Sequence, residues 1–300
     1  MKCVCEAMSN VNNIEIVNFL LEKTNVDIND ISIIKHCSPK EICIPSSVKS
    51  IGVDSLRGCK TLKKVYFQSP SSLTTIKSSA FTECSLLMQI KLPMTLTTME
   101  DFVFDNCESL VEIIIPSSLK SIPRYAFYQC KSLKRVSFQK PCSVESIHER
   151  AFMNCVSLIK IKIPSSIKKV DVCNFYGCTS LMEVGFEEPC SLDEINFAMF
   201  HDCKALKKLI IPNSVTEIRN STFTDCSSLL SISIPPNVKR IGDHAFAGCS
   251  SLKEICIPAA VNWVGWKICK DCTSLEELKI PACLEKNDFG IQSSVVVEII

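Results

Sequence analysis

Residues 229–249 read LLSISIPPNVKRIGDHAFAGC. Ile232 and Ile234 alternate with Ser231 and Ser233, the period of a strand with one buried face. Pro235 follows; with no N–H and a fixed φ, proline ends a strand ladder and starts a corner. A second apolar pair, Val238 and Ile241, crosses the far side of the unit, and Phe246 and Cys249 close it. The next stretch, Cys249 to Pro258 (CSSLKEICIP), begins the pattern again.

Moving outward, Cys249 is one rung of a ladder: Cys59, Cys84, Cys107, Cys130, Cys155, Cys178, Cys203, Cys226, Cys249 and Cys272, spaced 23 or 25 residues apart. A fixed period of that length means one supersecondary unit copied and stacked. Three residues after each cysteine stands a leucine, from Leu62 to Leu275, and three before eight of the ten stands Phe81, Phe104, Phe127, Phe152, Phe175, Phe200, Phe223 or Phe246. One strand per coil implies a parallel sheet, and the phenylalanine column implies a continuous core. Each buried aliphatic or aromatic side chain contributes roughly 1.5–3 kcal/mol, against an ordering cost of roughly 1–2 kcal/mol per residue. A lone coil is therefore unstable, and stability must come from its neighbours. In the three 25-residue repeats the last strand residue is Phe67, Phe138 or Phe186, with the proline displaced (FQSP, FQKP, FEEP). The extra residues are expected to widen the corner for the larger ring.

Lys and Arg number 33 against 32 Asp and Glu, for a net charge of +1, so no nucleic-acid partner and no whole-chain attraction to an anionic membrane are expected. No signal-peptide pattern and no membrane-spanning stretch is read in the sequence, which makes the cytoplasm the default location. Twenty cysteines would suggest a disulfide framework in a small secreted chain. Ten of them, in register with buried Leu and Phe, instead read as small buried hydrophobes with a weak S–H donor. Cys269 and Cys272 form a lone CxxC, with Cys269 at the phenylalanine position. His36, His148, His201 and His244 fall in different coils without metal-ligand spacing, and no phosphate-binding or nucleophile-elbow motif occurs. No metal, no cofactor and no catalytic residue are expected. Ser/His/Asp sets mean nothing here without geometry. Asn220-Ser221-Thr222 is a glycosylation sequon that matters only on export.

The informative surface is the solvent side of the strands, four, five and seven residues after each ladder cysteine. Those positions hold eleven basic and five acidic residues. Interleaved apolar residues include Met88, Val111, Ile159, Met182 and Leu230. The candidate partner-binding face comprises Lys63, Lys64, Tyr66, Lys91, Ile114, Lys134, Arg135, Lys160, Lys162, Lys207, Lys208 and Ile210. Mixed basic and apolar character suits a protein or acidic glycan partner, while strand-face lysines also discourage edge aggregation.

The pattern LxxIxIPxxVxxIxxxAFxxC over residues 229–249 resembles the BspA-like leucine-rich repeats, a class found in surface antigens. The resemblance extends over residues 36–285. It implies a leucine-rich-repeat solenoid of about ten to eleven coils, with one curved parallel β-sheet on one face and short strands, turns and helical turns on the other. By resemblance the protein would be a cell-surface interaction or adhesion module using the sheet face, with no enzymatic activity. Residues 1–35, with apolar spacing over NNIEIVNFLLEKTNVDIND (12–30), are expected to form a helical cap. They also look like part of an ankyrin repeat, which would suit an intracellular scaffold or effector that binds through both segments. Residues 286–300 are expected to cap the other end.

Overall fold

The computed structural model describes residues 39–285 and 287–300. The expected helical cap over residues 1–35, and His36, lie outside the described residues. The described residues fall into two compact units that divide between Val144 and Glu145. Each is a parallel β-solenoid over its described residues, and the repeats number about 11 turns.

In the first unit the long strands Glu41–Ile44, Lys64–Phe67 and Gln89–Ile90 pair in parallel, as do Glu112–Ile115 and Arg135–Phe138. Short strands Ser50–Ile51, Thr75–Ile76 and Thr98–Met99 form a second parallel ladder on another side of the coil. The second unit repeats the plan. Lys160–Ile163, Glu183–Phe186, Lys208–Ile210 and Ser231–Ser233 share one sheet, and Glu194–Ile195, Glu217–Ile218, Arg240–Ile241 and Trp263–Val264 another. Val296–Ile299 adds a strand to Glu277–Ile280 with its side chains exposed.

The core follows the columns of the sequence. All eight column phenylalanines are fully buried. Within the first unit, Phe81, Phe104 and Phe127 stack at 5.3 and 5.5 Å between ring centroids. Within the second, Phe152, Phe175, Phe200, Phe223 and Phe246 stack at 5.6–5.7 Å. The ladder cysteines complete this column. The Phe200 carbonyl accepts the Cys203 N–H of its own turn at 3.1 Å and the Cys226 thiol of the next coil at 3.2 Å. The same thiol-to-carbonyl bond recurs from Cys107 to Phe81, Cys130 to Phe104, Cys203 to Phe175 and Cys249 to Phe223. Burial pushes the Cys178 thiol up to about 12, and those of Cys107, Cys203 and Cys249 well above their ordinary value. These thiols stay protonated and serve as donors.

The expected helical turns are not what closes the coil; among the described residues the one helical element is the 3-10 turn Ala282–Leu284. The segment before each ladder cysteine is a ribbon of turns in which alternate N–H groups leave the coil. Ser221, Phe223 and Asp225 donate to Asp243, Ala245 and Ala247 of the next coil at 2.7–2.8 Å, while Thr224 and Cys226 donate three residues back. A left-handed residue stands at each end of the ribbon, for example Ser221 (φ 55°) and Asp225 (φ 59°). Two such residues four apart interrupt any α-helix, and the coil-to-coil bonds hold them in place.

The corners of the longer repeats also differ from expectation in detail. Phe67, Phe138 and Phe186 are only half-buried, whereas Ile44, Ile115 and Ile163, which end the ordinary strands, are buried. The Gln68 N–H bonds to Ile44 and the Ser72 N–H to Ser46, at 2.9 Å each. Four residues on one coil thus span two on its neighbour. The added pair bulges outward at the ring and brings Leu73 back into the core.

One outer-turn carboxyl in the first unit is out of its usual range. Burial, and then the neighbouring Glu83 carboxylate, raise Asp105 from 3.8 to about 6 despite Arg57 and the Asn106 amide. A carboxyl whose folded value is raised stabilises the fold below its unfolded value and loses that contribution as pH rises through the folded one. The first unit is therefore expected to lose stability between about pH 4 and 6. Asp105→Asn should remove that slope, as checked by urea unfolding at a series of pH values.

Candidate interaction face

Every long strand turns alternate residues outward, so the solvent side follows from the pleat. In the first unit this places Lys64, Tyr66, Lys91 and Ile114 around one shallow hollow of about 330 Å³, with Gln89 and Glu112 also lining it. Lys63 is exposed on the same face. Lys134 and Arg135 lie further along it, with Arg135 beside Glu112 in the strand register and 3.6 Å from its carboxylate. Glu41, on the first described strand, takes the Tyr66 hydroxyl at 3.2 Å and reaches Lys64 at 4.0 Å.

The second unit gathers Lys207, Lys208 and Ile210 around a hollow of about 600 Å³ floored by Gly185 and walled by Met182. A second hollow of about 550 Å³ lies on the other flank of Ile210, against Ser231, Ser233 and Cys256. Ile210 is the ridge between them and is 67% exposed. Gly185 is not required by packing: a Cβ there would meet only the Lys162 side chain, at an ordinary 3.7 Å. Glycine inside a strand offers no side chain to pack, and here its absence leaves the floor of the hollow open. Lys160 faces Glu183, which faces Lys208, and Lys162 flanks Gly185.

The basic surplus of this face is smaller than its strand residues imply. Lys162 lies 3.7 Å from Glu187, and Lys279 bridges Glu277 and Glu298. Glu41, Glu187 and Glu298 lie outside the strand positions used to judge charge. Lys207 and Lys208 form no ion pair among the described residues. They make the Ile210 hollow a place where positive charge and exposed apolar surface coincide, as Lys91 does beside Ile114 and Tyr66 in the first unit.

A Ser/His/Asp set does acquire geometry in the second unit. Ser146 Oγ lies 3.3 Å from His148 Nε2, and His148 Nδ1 lies 3.2 Å from Asp171 Oδ2. Burial pushes the Asp171 carboxyl up, but hydrogen bonds from Lys169 and His148 outweigh it and hold the group below its ordinary value. The order of contacts is that of a nucleophile, base and orienter, yet the N–H groups of Lys169 and Asp171 are spent on Glu145 and Ile147. They cannot turn to an oxyanion. The set lies on the short-strand side of its unit and ties neighbouring coils. The sequon is likewise built into the stack: Thr222 is buried and donates to Arg219 O at 2.7 Å, and Asn220 bonds Asp243. No helix among the described residues is long and apolar enough to cross a membrane.

Stacked parallel coils with a leucine column define a leucine-rich-repeat protein. The chain belongs to the BspA-type leucine-rich repeat family, whose repeat region of 6 copies matches residues 6–99, 27–141, 65–182 and 174–290. Among solved structures, it is similar to a leucine-rich-repeat protein from Bacteroides ovatus ATCC 8483, with 25% identity and a TM-score of 0.56 over 87% of this chain and 84% of that one. It is similar also to a leucine-rich cell-surface protein from Faecalibacterium prausnitzii A2-165, with 24% identity and a TM-score of 0.55 over 87% of this chain and 79% of that one. No curated protein matches the chain.

Proposed function

We propose that this protein is a non-catalytic binding module that docks a protein partner on its long-strand face, anchored at the Ile210 hollow, and that it works at a cell surface. The observation that carries the reading is the exposure of Ile210 between two hollows, beside Lys207 and Lys208 and above Gly185. An exposed aliphatic ridge with adjacent cations suits a partner segment that presents an apolar side chain among carboxylates. The surface location rests on family membership and on the name of the Faecalibacterium protein. An intracellular scaffold that also uses residues 1–35 is the competing reading.

Two probes separate a protein partner from an acidic glycan: a random Glu–Tyr copolymer and heparin, each titrated at low ionic strength. Lys207→Glu with Lys208→Glu is expected to weaken copolymer binding about tenfold, a loss of about 1.4 kcal/mol. Ile210→Ser should weaken the copolymer and leave heparin unmoved. If heparin alone binds, the partner is a glycan; if neither variant changes either titration, the hollow is not the site. Labelling of intact cells with an impermeant amine reagent tests the location, and absence of label favours the scaffold.

A further inference from the structure

In eight coils the residue three before the ladder cysteine is phenylalanine, but in the last it is Cys269, so two thiols replace the ring-and-thiol pair. Both are buried, Cys269 at 1% and Cys272 at 4% exposure. They bracket a four-residue turn in which the Cys272 N–H donates to Cys269 O at 3.2 Å and Asp271 is left-handed at φ 61°. The ends of such a turn lie within about 7 Å, which reaches the Cα range of about 4.4–6.8 Å that a disulfide spans. The two side chains are near enough to shift each other's acidity, Cys272 downward and Cys269 upward. The Cys272 thiol keeps the bond of its column, to the Phe246 carbonyl of the coil before at 3.1 Å, as Cys203, Cys226 and Cys249 do to theirs; what sets it apart is a second thiol, Cys269, at the other end of its own turn, where the other three have a phenylalanine.

We infer that Cys269 and Cys272 are a modification site, forming an intramolecular disulfide that staples the coil at the last ladder cysteine when the protein meets glutathione disulfide. Access comes from position. This coil is backed by Asp288 and Phe289, whose carbonyls take the Lys267 and Cys269 N–H groups at 2.8 and 2.9 Å, and not by a full repeat. Terminal coils have fewer neighbours and open locally more readily than internal ones. Cys272 is the attacking group: the hydrogen bond from Cys269 favours its thiolate, while the same bond and burial disfavour that of Cys269. The Cys272 thiolate forms a bond to one sulfur of glutathione disulfide and displaces a glutathione thiolate. Cys269, deprotonated to solvent, then attacks the Cys272 sulfur of the mixed disulfide and displaces the second glutathione. The two released thiolates take up the two protons, so two protein thiols are oxidised and one glutathione disulfide is reduced to two glutathiones. Joining the two positions ties the strand-side and turn-side ends of the coil's last bend, and local opening of the segment that follows should slow.

The test equilibrates the whole chain in glutathione redox buffers, traps free thiols by alkylation after unfolding, and reads peptides by mass. The expected result is a peptide spanning Lys270 and Asp271 that lacks two hydrogens and resists alkylation, while Cys203, Cys226 and Cys249 remain fully alkylated. Cys269→Phe, which restores the column residue, should fold and carry no disulfide, and Cys269→Ser should accumulate the Cys272 glutathione adduct. Amide exchange over residues 287–300 should slow several-fold on oxidation of the wild type and not of Cys269→Phe. Full alkylation of both thiols in the most oxidising buffer, or disulfides between neighbouring ladder cysteines appearing first, overturns the inference.

Discussion

Replacing Phe200 with alanine is expected to destabilise the 145–300 unit by about 3–5 kcal/mol. The ring is fully buried and lies between Phe175 and Phe223, 5.6 Å from each, with planes within 11°. Truncation removes both stacking contacts at once. The cavity cannot close by collapse of one neighbour, because each coil is pinned to the next by turn-ribbon hydrogen bonds: Phe200 N donates to Thr222 O at 2.9 Å and Phe223 N to Ala245 O at 2.8 Å. A solenoid is held by nearest-neighbour interfaces, so weakening two of them at mid-unit also lowers cooperativity. Urea unfolding should show a lower midpoint and a broadened or divided transition. Phe67→Ala supplies the control: its ring is half-buried at a bulged corner, and about 1 kcal/mol is expected from partial burial. Equal losses from the two substitutions would contradict a stacked core.

How far the sequence discloses this architecture depends on whether a feature is fixed within one coil or between two. The strand, its proline stop, the leucine and the phenylalanine are each set by one coil's own residues, and repetition made them legible. The turn ribbon is not. Its conformation is held by N–H groups that reach the next coil, and half of its left-handed positions carry residues with no turn preference, such as Phe102 (φ 62°), Tyr125 (φ 54°) and Lys267 (φ 49°). The position before each ladder cysteine did leave a signal: it is left-handed in all ten, and eight of the ten are Gly58, Asn106, Asn154, Gly177, Asp202, Asp225, Gly248 and Asp271, with Glu83 and Gln129 the exceptions. Glycine, asparagine and aspartate tolerate that region best, and read as a column they argue against helix. The interaction face divides in the same way. Alternation alone places Lys207, Lys208 and Ile210 outward, but the hollow depends on a missing side chain at Gly185 on the neighbouring strand. The true charge depends on Glu41, Glu187 and Glu298, which lie off the strand positions counted.

Gly242→Ala should cost about 3 kcal/mol, the upper end of what overpacking usually exacts, and for a reason that a backbone-freedom argument misses. Gly242 follows the short-strand Ile241 at the corner, yet it is not among the left-handed glycines. Its constraint is proximity. A Cβ at this position would overlap the backbone N and the side-chain Oδ1 of Asn220 in the preceding coil and stand 2.6 Å from the Arg219 carbonyl carbon. Backbone cannot rotate away as a side chain can. The approach is enforced from three sides: Gly242 N–H donates to Ile218 O at 2.7 Å, the Asp243 N–H to Asn220 Oδ1 at 3.0 Å, and Asn220 Nδ2 to Asp243 Oδ2 at 3.3 Å. An added methyl must separate the two coils and stretch all three bonds. Other coils carry Asn196 or Arg219 one residue after the short-strand isoleucine, so the position is not closed to side chains in general; the Asn220–Asp243 clasp closes it here. The clasp therefore predicts its own rescue. Asn220→Ala should be mild alone and should recover part of the loss in the double variant, a coupling read from a double-mutant cycle of urea unfolding. Gly58→Ala is the opposite case: its φ of +70° is left-handed, but a Cβ there meets nothing within 4 Å. Strain alone should cost about 1–2 kcal/mol, and no substitution in the adjoining coil should rescue it. If Gly242→Ala behaves like Gly58→Ala, with no rescue by Asn220→Ala, close coil approach is not what selects glycine at this corner.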